Sequence, residues 1–360
     1  MAAGRAPVAH SRPVFGPDDE RAVLRTLRSG QVAAGPEVER FEGDVARRLG
    51  LRGGVATSSG TAALHLVLLA LGVGRGDGVV IPSYVCGALL QAVRFVGAVP
   101  RLADLAEGRF HPGPEEIDRA ANRRTRAVLF PHPFGEPIDL SGVRALGLPV
   151  VEDLAQSLGA RRGKGPVGRA GRAAVCSFYA TKMAAAGEGG MVVSDRAGIL
   201  RVARDLRSYD EPPDARLRFN YKMSDLHAAL GRSQLKKLES FIRRRRRIAA
   251  RYHRAFGDLP LTLPADPPGG RHVYHRYVVR VTGKPGGGAG VLRFQKGRGV
   301  IARRPVDRPI HRILGIKGFP RTDVAVREAV SIPCYPALSD GEVARVIEAV
   351  RAAFGASEKG

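Results

Sequence analysis

Apolar residues recur every three or four positions in two stretches near the start of the chain. Val23, Leu24 and Leu27 share one face, and Val38, Phe41 and Val45 share another. That period predicts amphipathic helices over 18–30 and 36–49, with Gly30 and Gly50 as their stops, because glycine takes left-handed backbone without a Cβ penalty. From 51 to about 210 the pattern changes. Short apolar runs at 79–82, 99–102, 127–130, 150–152, 175–178 and 191–194 alternate with helical stretches, which is the rhythm of an α/β domain around a largely parallel sheet. A long helical pattern covers 224–256, with room for a break or kink. Beyond it come a strand pattern at 274–281, a glycine-rich loop at 283–290 and a closing helix at 340–354. We expect a large domain over 1–240 and a smaller α+β domain over 241–360.

Composition narrows the class. With 44% hydrophobic residues the 360-residue chain can build a substantial core, and 58 Lys plus Arg against 34 Asp plus Glu leave a net charge of +24. Such an excess could mark a nucleic-acid binder. Here the arginines are scattered, the one dense run, Arg243 to Arg247, lies inside a helical pattern, and no zinc-finger, RNP or basic-zipper pattern occurs. Anionic small molecules are therefore the expected partners rather than nucleic acid. Cys86, Cys176 and Cys334 are too far apart to write a zinc knuckle or a disulfide framework, which fits a reducing compartment. Neither a signal-peptide core nor a run of roughly eighteen apolar residues is present, so a cytoplasmic protein without a membrane partner is expected.

Three segments carry candidate chemistry. Val55 to Leu64 (VATSSGTAAL) reads as a strand end turning into a helix, where Ser58, Ser59, Gly60 and Thr61 form either a plain cap or an anion site built on free amides and the helix dipole. Pro149 to Asp153 (PVVED) is a short strand ending in two acids. In open α/β sheets ligands gather at carboxyl strand ends, so Asp153 is either a helix cap or a ligand group. Ala174 to Lys182 (AVCSFYATK) is a strand followed by a lysine among Phe, Tyr, Met and Ala. That lysine is either solvated or desolvated toward its nucleophilic form. Together, an anion cradle, a strand-end acid and a recessed amine meet the needs of pyridoxal phosphate.

At this point the chain resembles the DegT/StrS sugar aminotransferase family of fold type I enzymes that depend on pyridoxal phosphate. The resemblance rests on SSGTAALHL (58–66), IPSYVC (81–86), VGAVP (96–100), HPFGEP (132–137), VEDLAQSLGA (151–160), SFYATK (177–182), GEGGMV (187–192), FNYKMSDLHAALG (219–231) and SIPCYPALSD (331–340), together with Ser29-Gly30 and Gly35-Pro36. It implies an α/β fold with a mostly parallel seven-stranded sheet and a smaller C-terminal α+β domain. It also implies that Lys182 holds the cofactor covalently and moves protons, and that Asp153 pairs with the ring nitrogen. Gln156 would lie against the ring, Gly60, Thr61 and Ser177 would bind the phosphate, and Asn220 would reach that phosphate from a second subunit of a homodimer. Cys86 stands where many members carry a ring-stacking aromatic. Read on its own it is a small buried thiol, and Tyr84 is the alternative stacking residue.

His132 and His275 read as hydrogen-bonding structural residues, His65 and His227 as packing or capping ones, and Glu188 as a residue that orders the loop after Lys182. No glycosidase-like carboxylate pair and no His/Cys metal set is present. The expected activity is amination of a keto sugar, nucleotide-linked, with glutamate or glutamine as donor. The alternatives are a keto-cyclitol aminotransferase and a non-catalytic basic DNA-binding regulator on the same fold.

Overall fold

The computed structural model describes residues 6–210, 214–282 and 287–355, apart from the side chain of Phe294. Helix α1 (Pro17–Ser29) ends where Gly30 turns left-handed at φ 76°, and α2 (Pro36–Leu49) ends at Gly50 with φ 64°. Both stops are the glycines the pattern singled out. Helix α2 is preceded by Gly35, which has no side chain to cap it. The missing acceptor comes from far along the chain. The Asp225 carboxylate accepts from the backbone N–H groups of Gly35 (2.9 Å), Glu37 (3.2 Å) and Val38 (2.9 Å).

Asp225 is also the first residue of the long helix, Asp225–Phe256, which runs unbroken for 32 residues with Ser224 as its cap. This helix serves two cores. Leu235, Leu238 and Ile242 pack with Phe41, Val45 and Leu49 of α2, whereas Ile248, Ala249, Tyr252 and Phe256 pack with Tyr277, Val330 and Ile332. A boundary between residues 240 and 241 falls inside it. The basic run is divided by the same geometry: Arg245 is buried, Arg244 pairs with Asp340, Arg246 pairs with Asp266, and Arg243 and Arg247 remain exposed.

The large sheet contains β1 (Gly53–Thr57), β2 (Gly78–Pro82), β3 (Val99–Ala103), β4 (Thr125–Pro131), β5 (Val150–Asp153), β6 (Ala173–Ser177) and β7 (Gly190–Ser194), in the order β1-β7-β6-β5-β4-β2-β3. Only β7 runs against its neighbours. Both faces are covered, as near-continuous apolar strands require. On β6, Ala173 and Val175 join the core beneath α3 (Gly60–Ala70) and α4 (Gly87–Phe95), while Ala174 and Cys176 join Phe41, Val45 and Leu238 on the other side.

The C-terminal part holds an antiparallel sheet of β8 (Leu261–Thr262), β9 (Tyr277–Val281) and β10 (Ala329–Ile332), with the closing helix Asp340–Gly355 packed on it. The strand expected from 274 begins at 277. Tyr274 is left-handed (φ 49°), and the carbonyls of Tyr274 and His275 accept from the buried Arg245 guanidinium at 3.2 and 3.0 Å, so they leave the ladder. Phe178 likewise falls outside its expected strand, which stops at Ser177. The glycine-rich stretch is not all loop: a helix, Gly287–Gly297, starts within it, and 283–286 lie outside the described residues. Among the described residues no helix is long and apolar enough to cross a membrane.

Replacing Asp225 by Ala strips three backbone donors of their buried acceptor. We expect a loss of about 2–4 kcal/mol, read as a lower denaturation midpoint, with Asp225→Asn losing less because one acceptor oxygen remains.

Candidate active site

The carboxyl ends of β1, β5 and β6 converge, which is where ligands sit in open α/β sheets. At the end of β1, the Thr57 hydroxyl donates to the Ser59 carbonyl (2.9 Å) and the Ser58 N–H donates to the Tyr221 carbonyl (2.7 Å). The Ser59 hydroxyl accepts from the N–H of Ala62 (3.1 Å), and the Ser59 carbonyl from that of Ala63 (3.1 Å). The cap is thus real, and it leaves the amides of Gly60 and Thr61 without an acceptor among the described residues. Ser177 stands beside them. A Cβ on Gly60 would lie 3.0 Å from the Ser177 Cβ and 3.3 Å from its hydroxyl oxygen. On the far side, a Cβ on Gly190 would lie 2.2 Å from the Ser59 carbonyl oxygen and 2.6 Å from the Gly60 nitrogen. Main chain, two free amides and one hydroxyl form a cradle for an anion.

The two acids closing β5 have different tasks. Glu152 accepts from the His132 Nε2–H (3.0 Å) and from the backbone N–H groups of Gly168 (2.8 Å), Ala170 (2.6 Å) and Gly171 (2.8 Å). His132 Nδ1 accepts from the Ile138 N–H (3.0 Å), so His132 is a structural bridge with its proton on Nε2. Burial pushes Glu152 up, but the hydrogen bonds from His132, Gly171 and Gly168 outweigh it and hold the carboxyl below its usual range. Asp153 has only the Ala155 N–H at 2.8 Å. Burial raises its pKa, against the opposing pull of Ala155, Lys182 and His132.

Lys182 follows β6 after a turn in which its N–H donates to the Tyr179 carbonyl (2.8 Å). Burial lowers its amine from the ordinary value, Asp153 and Cys86 pull it back up, and Arg276 depresses it further. Asp153, Cys86 and Arg276 thus lie close enough for their charges to act on the Lys182 amine. Cys86 corrects the reading of a buried thiol: it is exposed at the start of α4. Tyr84 does not substitute for a stacking aromatic, since it is buried against Phe110 with ring centroids 5.8 Å apart. The Gln156 Oε1 accepts from the Phe134 N–H (2.8 Å), which leaves its amide NH₂ for a ligand. Asn220 is exposed next to Tyr221, whose carbonyl holds Ser58.

Of the remaining candidates, His65 and His227 are structural, whereas His275, expected to be a hydrogen-bonding residue, has its buried Nδ1 without a partner among the described residues. His65 is buried with Nδ1 3.2 Å from the Tyr221 hydroxyl, and His227 is bonded to Ser224 at the start of the long helix (2.7 Å). Burial, then the charge of Lys182, keeps His275 neutral, well below its ordinary pKa. Glu188 is exposed. Arg276, Gly190 and the Tyr221 carbonyl were missed by sequence reasoning. Only Arg276 left a trace, as a charged residue inside the otherwise apolar and aromatic run 273–279.

A recessed amine, a buried carboxylate and an amide cradle too tight for extra side chains fit pyridoxal phosphate by charge and by position. With the sheet order above, they define a fold type I aminotransferase dependent on that cofactor. The chain belongs to the DegT/DnrJ/EryC1/StrS aminotransferase family, whose model matches residues 14–351. It is 34% identical to the spore coat polysaccharide biosynthesis protein SpsC of Bacillus subtilis over 95% of this chain and 96% of that one. Among solved structures it is similar to the aminotransferase TlmJ from Streptoalloteichus hindustanus (30% identity, TM-score 0.91, 98% of this chain and 100% of that one). It is also similar to S. venezuelae DesV, solved in complex with a ketimine intermediate (32% identity, TM-score 0.87, 93% of each chain).

Because Asp153 holds the Lys182 amine up against burial, Asp153→Asn should lower that amine's apparent pKa further. The pH dependence of Lys182 labelling by an amine-selective reagent, in cofactor-free protein, should show its midpoint below that of ordinary lysines and lower still in the variant.

Proposed function

We propose that the enzyme transfers an amino group from glutamate or glutamine to the carbonyl carbon of a nucleotide-linked keto sugar. The observation that carries this reading is that Asp153 closes β5 and acts on the Lys182 amine, at the same sheet edge where Ser177 closes β6 against the Gly60 turn. Pyridoxal phosphate, when bound, supplies an electron-withdrawing ring that carries the amino group between donor and acceptor. The amides of Gly60 and Thr61 and the Ser177 hydroxyl bind its phosphate, joined by Asn220 from a second copy of the chain. Asp153 keeps a proton on the ring nitrogen, and the Gln156 amide lies against the ring. Cys86, exposed at the start of α4, occupies the stacking position. Lys182 would hold the cofactor at rest and, once released, would serve as the base that takes the proton from the donor's Cα and as the acid that gives a proton back, in the opposite order when the sugar carbon is aminated.

One named relative supports the sugar. SpsC is described by polysaccharide biosynthesis, and the reacting pocket here carries Arg276, suited to an anionic acceptor such as a diphosphate. The DNA-binding reading loses support because the basic run is split between buried, paired and exposed positions.

The test is to present the glutamate-treated, cofactor-loaded enzyme with nucleotide-linked keto sugars, free keto sugars and keto-cyclitols, and to quantify amino products by mass spectrometry. We expect kcat/KM for a nucleotide conjugate to exceed that of its free sugar by about tenfold or more. Equal turnover would remove the nucleotide, turnover of cyclitols alone would replace the sugar, and salt-dependent duplex DNA binding without any amino product would replace the enzyme. The shared site has its own test. Mixing inactive Lys182→Ala with inactive Asn220→Ala protein should restore turnover through hybrid dimers that hold one intact site; no recovery on subunit exchange would confine each site to one chain.

A further inference from the structure

At the end of the large sheet opposite the catalytic pocket, where β5 and β6 begin, lies a cavity of about 500 Å³. Arg144, Arg169, Arg172 and Arg196 line it, with Leu51 and Leu148 on its wall. None of the four arginines makes an ion pair among the described residues. The one acid in the cavity wall, Asp195, accepts from the Arg52 N–H at 2.7 Å. Four guanidinium groups therefore face one concavity with a single, engaged carboxylate.

The loop bearing two of them is fixed. Buried Glu152 takes the N–H groups of Gly168, Ala170 and Gly171, and the Val150 carbonyl takes the Arg172 N–H at 2.7 Å. Arg169 and Arg172 thus project from a backbone that does not have to be ordered on binding, which leaves only their exposed side chains to be fixed. The helix Ala197–Arg207 starts at Arg196 with no side-chain cap and adds its positive end to the same rim. Like charges gathered without counter-charge repel, and an anion with several oxygens relieves that repulsion while using the forked guanidinium geometry.

We propose that this cavity is a second binding site, separate from the catalytic one, for a diphosphate group. Its volume accommodates a nucleoside diphosphate, with the base against Leu51 and Leu148 and the phosphates on the arginines; inorganic pyrophosphate presents the same chemistry alone.

The experiment is calorimetric titration of cofactor-loaded enzyme with uridine diphosphate, inorganic pyrophosphate and a short DNA duplex, repeated on Arg169→Glu/Arg172→Glu and on Arg144→Ala/Arg196→Ala. Wild type should bind uridine diphosphate in one event more per chain than either double variant, whose affinity at this site falls about tenfold or more. Both variants should keep the visible absorption of the bound cofactor and normal turnover, which separates this result from any failure of the proposed activity. Tighter binding of the nucleoside diphosphate than of pyrophosphate assigns the wall residues to the base, and equal binding reduces the ligand to the diphosphate. Unchanged titrations in both variants, or a duplex that outcompetes both phosphates, would overturn the proposal.

Discussion

The structure turns on placing an amine and a carboxylate together where water is scarce. Lys182 alone in that pocket would lose its proton easily, and Asp153 alone would keep one. Each offsets the cost of burying the other, and the pair remains responsive to any third charge brought near it. The sheet makes this possible. Two adjacent parallel strands, β5 and β6, run side by side with Asp153 opposite Val175, two residues before β6 ends, so the acid from one and the lysine beyond the other arrive at the same edge of the sheet. Arg276, delivered from the C-terminal part just before β9, supplies the third charge from a separate core.

Glu152 shows how one residue's displacement along a strand changes its work. It alternates with Asp153 across the sheet and faces the loop 168–171, which it pins through three amides while sharing His132. Its lowered pKa reflects dense donor bonding that outweighs burial, whereas burial raises Asp153, which has a single backbone donor to oppose it. The contrast in donor supply, more than any contrast in depth, separates a residue that holds architecture from one left available for a ligand.

Much of this was legible in the sequence. The helix limits at Gly30 and Gly50, the sheet strands and the long helix followed from local period and stop signals, which depend on neighbouring residues. Asp153, Lys182 and the Gly60 turn were visible because strand ends announce themselves. What stayed hidden depended on distant partners. Asp225 caps a helix almost two hundred positions earlier, Arg245 draws the carbonyls of Tyr274 and His275 out of their expected strand, and Gly190 matters only because Ser59 lies against it. Cys86 was misread for the same reason: its type suggests burial, and only the approach of α4 to the pocket leaves it open.

The contact between Gly190 and the Ser59–Gly60 peptide bears on how such a chain can diverge. With less than 3 Å between the position of an added methyl and three main-chain atoms, drift at this spot has nowhere to go. Descendants seeking a different grip must alter hydroxyl-bearing neighbours, while the floor of the turn is inherited intact.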